Sequence, residues 1–212
     1  VLRLEAVGKR YGRKQVLSNV SLDLKPGLTL LTGASGAGKS TLLRLLATAE
    51  RPSEGVLYWG ERRLPAARQA LRKVLGYAPQ AVDLPEDITA REFTLHIAAL
   101  KGLRLDEADR QFGAITDAIG LHADINNRIA SFSGGMRRRL IFAQALLGAP
   151  QVLALDEPTA ELDGETARKL GALIVERARS AIVVMTTHLA DELAPQASAV
   201  LRVEAASVRA AA

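Results

Sequence analysis

The 212-residue sequence predicts an α/β fold with a mixed, mostly parallel sheet, an N-terminal antiparallel β-subdomain and a helical insertion. Three observations lead there. The apolar run Leu28-Thr29-Leu30-Leu31-Thr32 breaks at Gly33, crosses a loop of Gly, Ala and Ser, and resumes with helical spacing from Lys39. Two more unbroken apolar runs, Val152 to Leu155 and Ala181 to Met185, read as strands buried on both faces, as parallel strands are. Between Pro79-Gln80 and Ser131-Phe132-Ser133-Gly134-Gly135, two stretches of helical periodicity follow each other with little strand between them.

Taken in order, Val1 to Lys25 alternates through Leu2, Leu4, Val16, Val20, Leu22 and Leu24, the pattern of antiparallel strands. Lys9-Arg10-Tyr11-Gly12 forms a turn whose Tyr11, read alone, serves packing rather than ligand binding. Pro26-Gly27 turns the chain into the loop strand. Gly55 to Gly60 is a strand and turn, followed by a short basic segment and a strand from Val74 to Ala78. Helical spacing from Thr89 to Leu100 puts Phe93, Ile97 and Leu100 on one stripe, and from Glu107 to Ile119 it aligns Phe112, Ile115 and Ile119. A helix from Gly135 to Leu147 stops at Gly148-Ala149-Pro150. A further helix runs from about Gly164 to Ala178, with Asp163 suited to its N-cap. Ala199 to Val203 reads as a last strand, and the Ala-rich end as frayed.

The bulk composition bounds the function. With 48% hydrophobic residues, the chain can bury a core as a single domain over 1–212, the helical insertion covering about 81–134. There is no cysteine, which removes disulfides and thiolate metal sites, and His96, His122 and His188 are too scattered for zinc. No signal peptide opens the chain, and its start at Val1 rather than Met is read as a trimmed N-terminus. Leu140 to Leu155 is the longest uncharged stretch. Gln144, Gly148, Pro150 and Gln151 interrupt it short of a spanning helix, so a chain soluble by itself is expected. The net charge of +5 fits a nucleic-acid or anionic-membrane neighbour. Arg137-Arg138-Arg139, without aromatic interleaving, reads better as a solvated or partner-facing helix surface, and no nucleic acid is expected.

The residues Gly33, Ala34, Ser35, Gly36, Ala37, Gly38, Lys39, Ser40 and Thr41 have the chemistry of a phosphate cradle. Glycines turn backbone amides inward, the helix N-terminus adds positive potential, Lys39 reaches the β- and γ-phosphates, and Ser40 can ligate Mg²⁺. This is a P-loop core. Asp156-Glu157 at the end of a core strand costs several kcal/mol unless a cation or a catalytic task is there. Beside such a loop both exist: Asp156 to hold Mg²⁺ and Glu157 to take a proton from a water attacking the γ-phosphate. No Asn-Lys-x-Asp motif reads guanine, which favours ATP. Ser133-Gly134-Gly135 opens a helix as a second anion site would.

In order and approximate spacing, Gly33 to Thr41, Gln80, Phe132-Ser133-Gly134-Gly135-Met136, Asp156-Glu157, Ala160-Glu161-Leu162-Asp163 and His188 resemble the nucleotide-binding subunit of ATP-binding cassette transporters. Tyr11 fits as well, so the resemblance runs from 11 to 188. It implies that Tyr11 stacks on adenine, that Gln80 touches Mg²⁺ and the attacking water, and that His188 contacts the γ-phosphate. It also implies a head-to-tail dimer of nucleotide-binding subunits with two ATP molecules between them, each sealed by the Ser133-Gly134-Gly135 tip of the other copy, with Asp163 at the boundary. Separate transmembrane permease subunits would anchor the chain at the cytoplasmic face of the membrane. The stretches Leu84 to Glu92 and Leu100 to Leu103 are similar to those of drug- and antibiotic-export ATPases. Two residues depart from the family pattern: Met136 stands where Gln is usual and Ala160 where Ser is common. Cassette ATPases acting on DNA or ribosomes, and a module that senses ATP without turnover, remain as alternatives. The intact Glu157 and His188 speak against the latter.

Overall fold

The computed structural model describes residues 1–81, 83–188 and 190–211. β1 (Leu2–Tyr11) and β2 (Lys14–Leu24) form an antiparallel hairpin. Leu2, Leu4, Val20 and Leu24 are buried as the alternation in the sequence predicts, but Val16 and Leu22 are only half-buried, and register shifts along the pair bring the out-of-phase Val7 and Leu17 inward instead. β3 (Gly27–Thr32) leads into the Gly-rich loop and α1 (Lys39–Leu46). β4 (Glu54–Trp59) returns to pair with β1, and the two-residue β5 (Arg62–Arg63) extends the sheet to the order β2-β1-β4-β5. The basic segment that follows folds as α2 (Arg68–Lys73), a helix the sequence reading did not assign.

β6 (Leu75–Ala78) enters the second sheet. α3 (Ala90–Lys101) and α4 (Leu105–Ala118) form the helical subdomain, joined by an ion pair between Arg91 and Asp109. Thr89 and Glu92 make a reciprocal capping box at the start of α3. The buried row of α3 is Ala90, Thr94 and Ala98, four residues apart. Phe93 and Ile97 are only half-buried, and Leu100 is 72% exposed, so the predicted stripe lies rotated from the one that packs. The buried row is made of small residues, and the larger side chains flank it.

α5 (Gly134–Leu146) precedes β7 (Val152–Asp156), α6 (Gly164–Ala178), β8 (Ile182–Thr186) and the short α7 (Ala190–Leu193). The chain ends in β9 (Ala199–Glu204) and β10 (Ser207–Ala210). The sheet order is β10-β9-β3-β8-β7-β6, parallel except for the antiparallel β9–β10 pair. The fold is thus the predicted antiparallel N-terminal sheet, mixed parallel sheet and helical subdomain. Up to residue 211 the segment expected to fray is ordered: Ala205 and Ala206 turn it at φ 45° and 62° into a hairpin, held by the Ser18 amide donating to the Ala206 carbonyl at 2.7 Å.

The parallel strands are buried on both faces, which accounts for their unbroken apolar runs. Leu28, Leu30, Leu153, Leu155, Val183 and Met185 pack with Leu140 and Phe142 of α5 and Leu170 and Ile174 of α6. Their alternates Leu31, Val152, Ala154, Ile182 and Val184 pack with Leu42, Leu43, Leu45 and Leu46 of α1 and the inner face of β1. Among the described residues, no helix is long and apolar enough to cross a membrane.

Lys101 ends α3 with its ammonium donating to the Leu147 carbonyl at 2.8 Å. Burial pushes its pKa down from 10.5 to about 8. Between pH 8 and 10.5 the unfolded chain therefore binds the extra proton, and stability rises with pH across that window. Lys101→Met is expected to stabilise the chain at pH 7 by about 1–2 kcal/mol, the charge penalty less the lost hydrogen bond. In denaturant titrations at stepped pH, that advantage should shrink above pH 8 and close near pH 10.5.

Candidate active site

The carboxyl ends of the parallel strands converge on one edge of the sheet, where open α/β sheets place their ligands. Leu31 pairs with Thr186, and Thr186 with Asp156. From this row β3 passes into the Gly33–Gly38 loop, β7 ends at Asp156 beside Glu157, and β8 leads to Thr187 and His188. β6 ends at Ala78, just before Pro79-Gln80. These segments line one cleft of about 730 Å³ that holds Tyr11, Gly33, Ser35, Gly36, Gly38, Lys39, Ser40, Thr41, Gln80, Asp156, Glu157 and His188. Ala34 and Ala37 belong to the loop without lining the cleft: Ala34 presents its carbonyl to Lys39, and Ala37 packs on the α1 side of the core. The tip Ser133-Gly134-Gly135 and Asp163 also lie outside the cleft.

The loop's backbone admits only glycine at its two ends. Gly33 has φ 133°, and a Cβ there would stand 2.2 Å from the Val203 carbonyl oxygen. Gly38, the N-cap of α1, has φ 111° and lies against Val16. Lys39 bends back across the loop, donating to the Gly33 carbonyl at 2.7 Å and the Ala34 carbonyl at 3.0 Å. The ammonium is thereby centred over the cradle that α1 closes from below.

Asp156 and Glu157 are both buried and hang on one hydroxyl. Thr186 donates to Asp156 Oδ1 at 2.7 Å and accepts the Glu157 amide at 2.9 Å. Glu157 is held at φ 51°, a left-handed conformation costly for a residue with a side chain. Its Oε1 lies 3.5 Å from His188 Nε2, whose ring is 82% exposed, while its Oε2 is buried without a hydrogen-bond partner. Burial together with the Asp156 charge pushes the Tyr77 phenol on neighbouring β6 up to about 12, so it stays a neutral donor.

Arg138 of α5 straps this corner from outside. It donates to the Glu157 carbonyl at 3.3 Å and pairs with Glu161 at 3.3 Å, and Glu161 is itself at φ 61°. Both left-handed residues of the segment after β7 are thus fixed by one guanidinium. The tip of α5 rests beside the same segment, with Glu161 nearest to Gly134 and Gly135. Ser133 caps α5 through the Met136 amide at 3.3 Å, and Met136 itself packs half-buried against the core. Asp163 caps α6, accepting the Glu165 and Thr166 amides at 3.1 and 2.9 Å.

Sequence reasoning missed Thr186 and Arg138. Thr186 ends an apolar strand, one place before the Thr-His pair, and its register opposite Asp156 is the signal that identifies it. Thr186→Val keeps the shape and removes the hydroxyl, leaving a buried carboxylate oxygen and a buried amide unpaired. Urea unfolding is expected to show a loss of about 2–4 kcal/mol, with Thr186→Ser recovering most of it. A loss below about 0.5 kcal/mol would mean that water replaces the hydroxyl.

The comparisons with known proteins agree with this architecture. The ABC transporter family model matches residues 17–160. The chain is 34% identical over 192 residues to the Nod factor export ATP-binding protein I of Rhizobium etli, covering 88% of this chain and 60% of that protein. It is 33% identical over 191 residues to the uncharacterized ABC transporter ATP-binding protein YxlF of Bacillus subtilis, covering 89% and 63%. The chain thus spans about 60% of the length of these two relatives. In structure it is similar to the dimeric MJ0796, a bacterial ABC transporter cassette, with a TM-score of 0.89, 24% identity, and coverage of 99% of this chain and 97% of that one. A match over most of the chain, a shared fold and a glycine cradle facing a buried carboxylate pair lead to one conclusion: the chain belongs to the ABC transporter family and has the fold of its ATP-binding subunits.

Proposed function

We propose that the chain is an ATP-hydrolysing subunit that powers export through separate transmembrane permease subunits, by closing head to tail on a second nucleotide-binding subunit. The observation that carries this reading is the Glu157 carboxylate. It is buried at the end of β7 with one oxygen unpartnered, in the same cleft as Lys39 and Ser40. A carboxylate kept unsatisfied at such a cost has a proton to accept.

In this reading Lys39 exchanges the Gly33 and Ala34 carbonyls for β- and γ-phosphate oxygens, and the loop amides and α1 N-terminus complete the cradle. Tyr11 stacks on adenine. Glu157 accepts the proton of the attacking water, with His188 oriented by Glu157 and turned toward the γ-phosphate. Among the described residues, no three His, Cys, Asp or Glu side chains gather to hold a metal ion. Ser40, Asp156 and Gln80 are oxygen donors in one cleft, suited to Mg²⁺ when phosphate and water complete its shell. Bound there, Mg²⁺ supplies charge neutralisation on the β- and γ-phosphates.

The position of the α5 tip supports a two-subunit site. Ser133, Gly134 and Gly135 form a second anion-binding helix end outside the cleft of their own chain, so the nucleotide they face is a partner's. Asp163 then stands at the boundary between the copies. Export is the direction named for the Rhizobium relative. Attachment to permease subunits places the chain at the cytoplasmic face of the membrane.

Phosphate release from MgATP by the full chain tests the reading. Glu157→Gln is expected to lower turnover by about 10²–10⁴-fold while nucleotide binding persists. Light scattering on that variant should show dimers with MgATP and monomers without it. Equal hydrolysis by variant and parent would remove Glu157 from the mechanism, and a monomer at saturating MgATP would remove the partner's helix tip.

A further inference from the structure

Beside the cleft, at the end away from the phosphate chemistry, three charged side chains meet a phenol. Tyr11 is the last residue of β1, next to the turn at Gly12-Arg13, and is 41% exposed on the cleft rim. A ring at a hairpin tip rotates about two side-chain torsions, and a base stacking on it must first arrest that motion. This ring is already arrested. Its hydroxyl donates to Glu50 Oε2 at 2.5 Å. The same carboxylate oxygen lies 2.9 Å from Lys9 Nζ, and Glu50 Oε1 lies 2.8 Å from Arg44 Nε.

The partners of Glu50 lead in two directions. Lys9 lies two residues before Tyr11 on β1, and its ammonium stands over the ring, 5.0 Å from the centroid. Tyr11 lines the cleft and Lys9 does not. Arg44 belongs to α1, the helix that carries the cradle. It donates to Thr41 Oγ1 at 3.2 Å and to the Tyr11 hydroxyl at 3.4 Å. The Ala49 and Glu50 amides return to the Arg44 carbonyl at 2.9 and 3.2 Å, so the segment bearing Glu50 is fixed on the end of α1. Burial opposes ionisation of Glu50. The hydrogen bonds from Tyr11 and Lys9 and the charges of Arg44 and Lys9 outweigh it and hold the carboxyl below its usual range.

We infer that Glu50 is a positioning residue for the base end of the nucleotide: it locks the Tyr11 ring between Lys9 and the cleft and ties that ring to the helix beneath the phosphates. This assignment rests on ATP as the ligand of the cleft. It predicts that Glu50 matters to a nucleotide and not to a bare triphosphate, which occupies the cradle without reaching Tyr11.

The test is equilibrium binding of magnesium ATP and of magnesium tripolyphosphate to the full chain, in a Glu157→Gln background so that no turnover intervenes. Glu50→Ala and Tyr11→Phe are each expected to weaken ATP about two- to tenfold, the cost of immobilising one side chain anew, with tripolyphosphate changed less than about twofold. The double variant should bind ATP no more weakly than the worse single one, because both changes break the same bond. Glu50→Gln, which keeps an acceptor for the phenol, should lose less. If Glu50→Ala does not fold, Tyr11→Phe leaves the ion pairs of Glu50 in place and makes the same comparison. Equal losses for both probes would show that Glu50 supports the cradle rather than the ring, and unchanged ATP affinity would show that the ring needs no lock. A parent chain that took up neither probe would defeat the nucleotide assignment itself.

Discussion

The parallel pairing of β3, β8 and β7 sets Leu31, Thr186 and Asp156 side by side, and the functional groups of the cleft are placed relative to that row. The register is fixed far from any ligand. Leu28, Leu30, Leu153, Leu155, Val183 and Met185 fill one face of the sheet and their alternates fill the other. A slip of one residue would exchange the two sets and destroy both cores. Hydrophobic burial thus determines which backbone groups meet at the sheet edge, and the polar chemistry inherits its geometry.

At that edge the chain carries several local costs, and each is offset by a neighbour that burial has already placed. Glu157 is left-handed at φ 51°, with its amide held by Thr186 and its carbonyl by Arg138. Asp156 keeps its charge out of bulk water through the Thr186 hydroxyl. A conformation costing roughly 1–2 kcal/mol persists because two hydrogen bonds from different elements over-determine it. Lys39 shows the same economy in the loop, where two carbonyls occupy the ammonium over the cradle.

The parts legible in the sequence were those whose conformation depends on their own residue types. The Gly-rich loop, the double-faced apolar strands and the Asp163 cap all fall in this class. Three features were decided by contacts distant in sequence. Ala205 and Ala206 form a tight turn without the Gly, Asn or Asp that normally marks one, because Ser18 of β2 holds the Ala206 carbonyl. Arg138 sits in a run of three arginines that reads as a solvated face, yet it is aimed at Glu157 and Glu161 across the gap between α5 and the segment after β7. On α3, periodicity located the helix but weighted Phe93, Ile97 and Leu100 by size. The row that packs is the small one, Ala90, Thr94 and Ala98.

The two ends of the cleft are held by different physics. The phosphate end stands on sheet strands whose register costs two hydrophobic cores to change, with Arg138 bracing only the segment after β7. The base end stands on the tip of a hairpin, where Tyr11 is exposed and the backbone offers only one strand pairing beyond Lys9 and Arg10. Rigidity there has to come from side chains, and the network of Lys9, Glu50, Arg44 and Tyr11 provides it. Ion pairs at a surface weaken with salt, but the Lys9–Glu50 pair is mostly shielded, with side-chain exposures of 14% and 24%. The hairpin tip is therefore ordered by the same helix that presents Lys39, and the separation between the two ends of the cleft is set by α1.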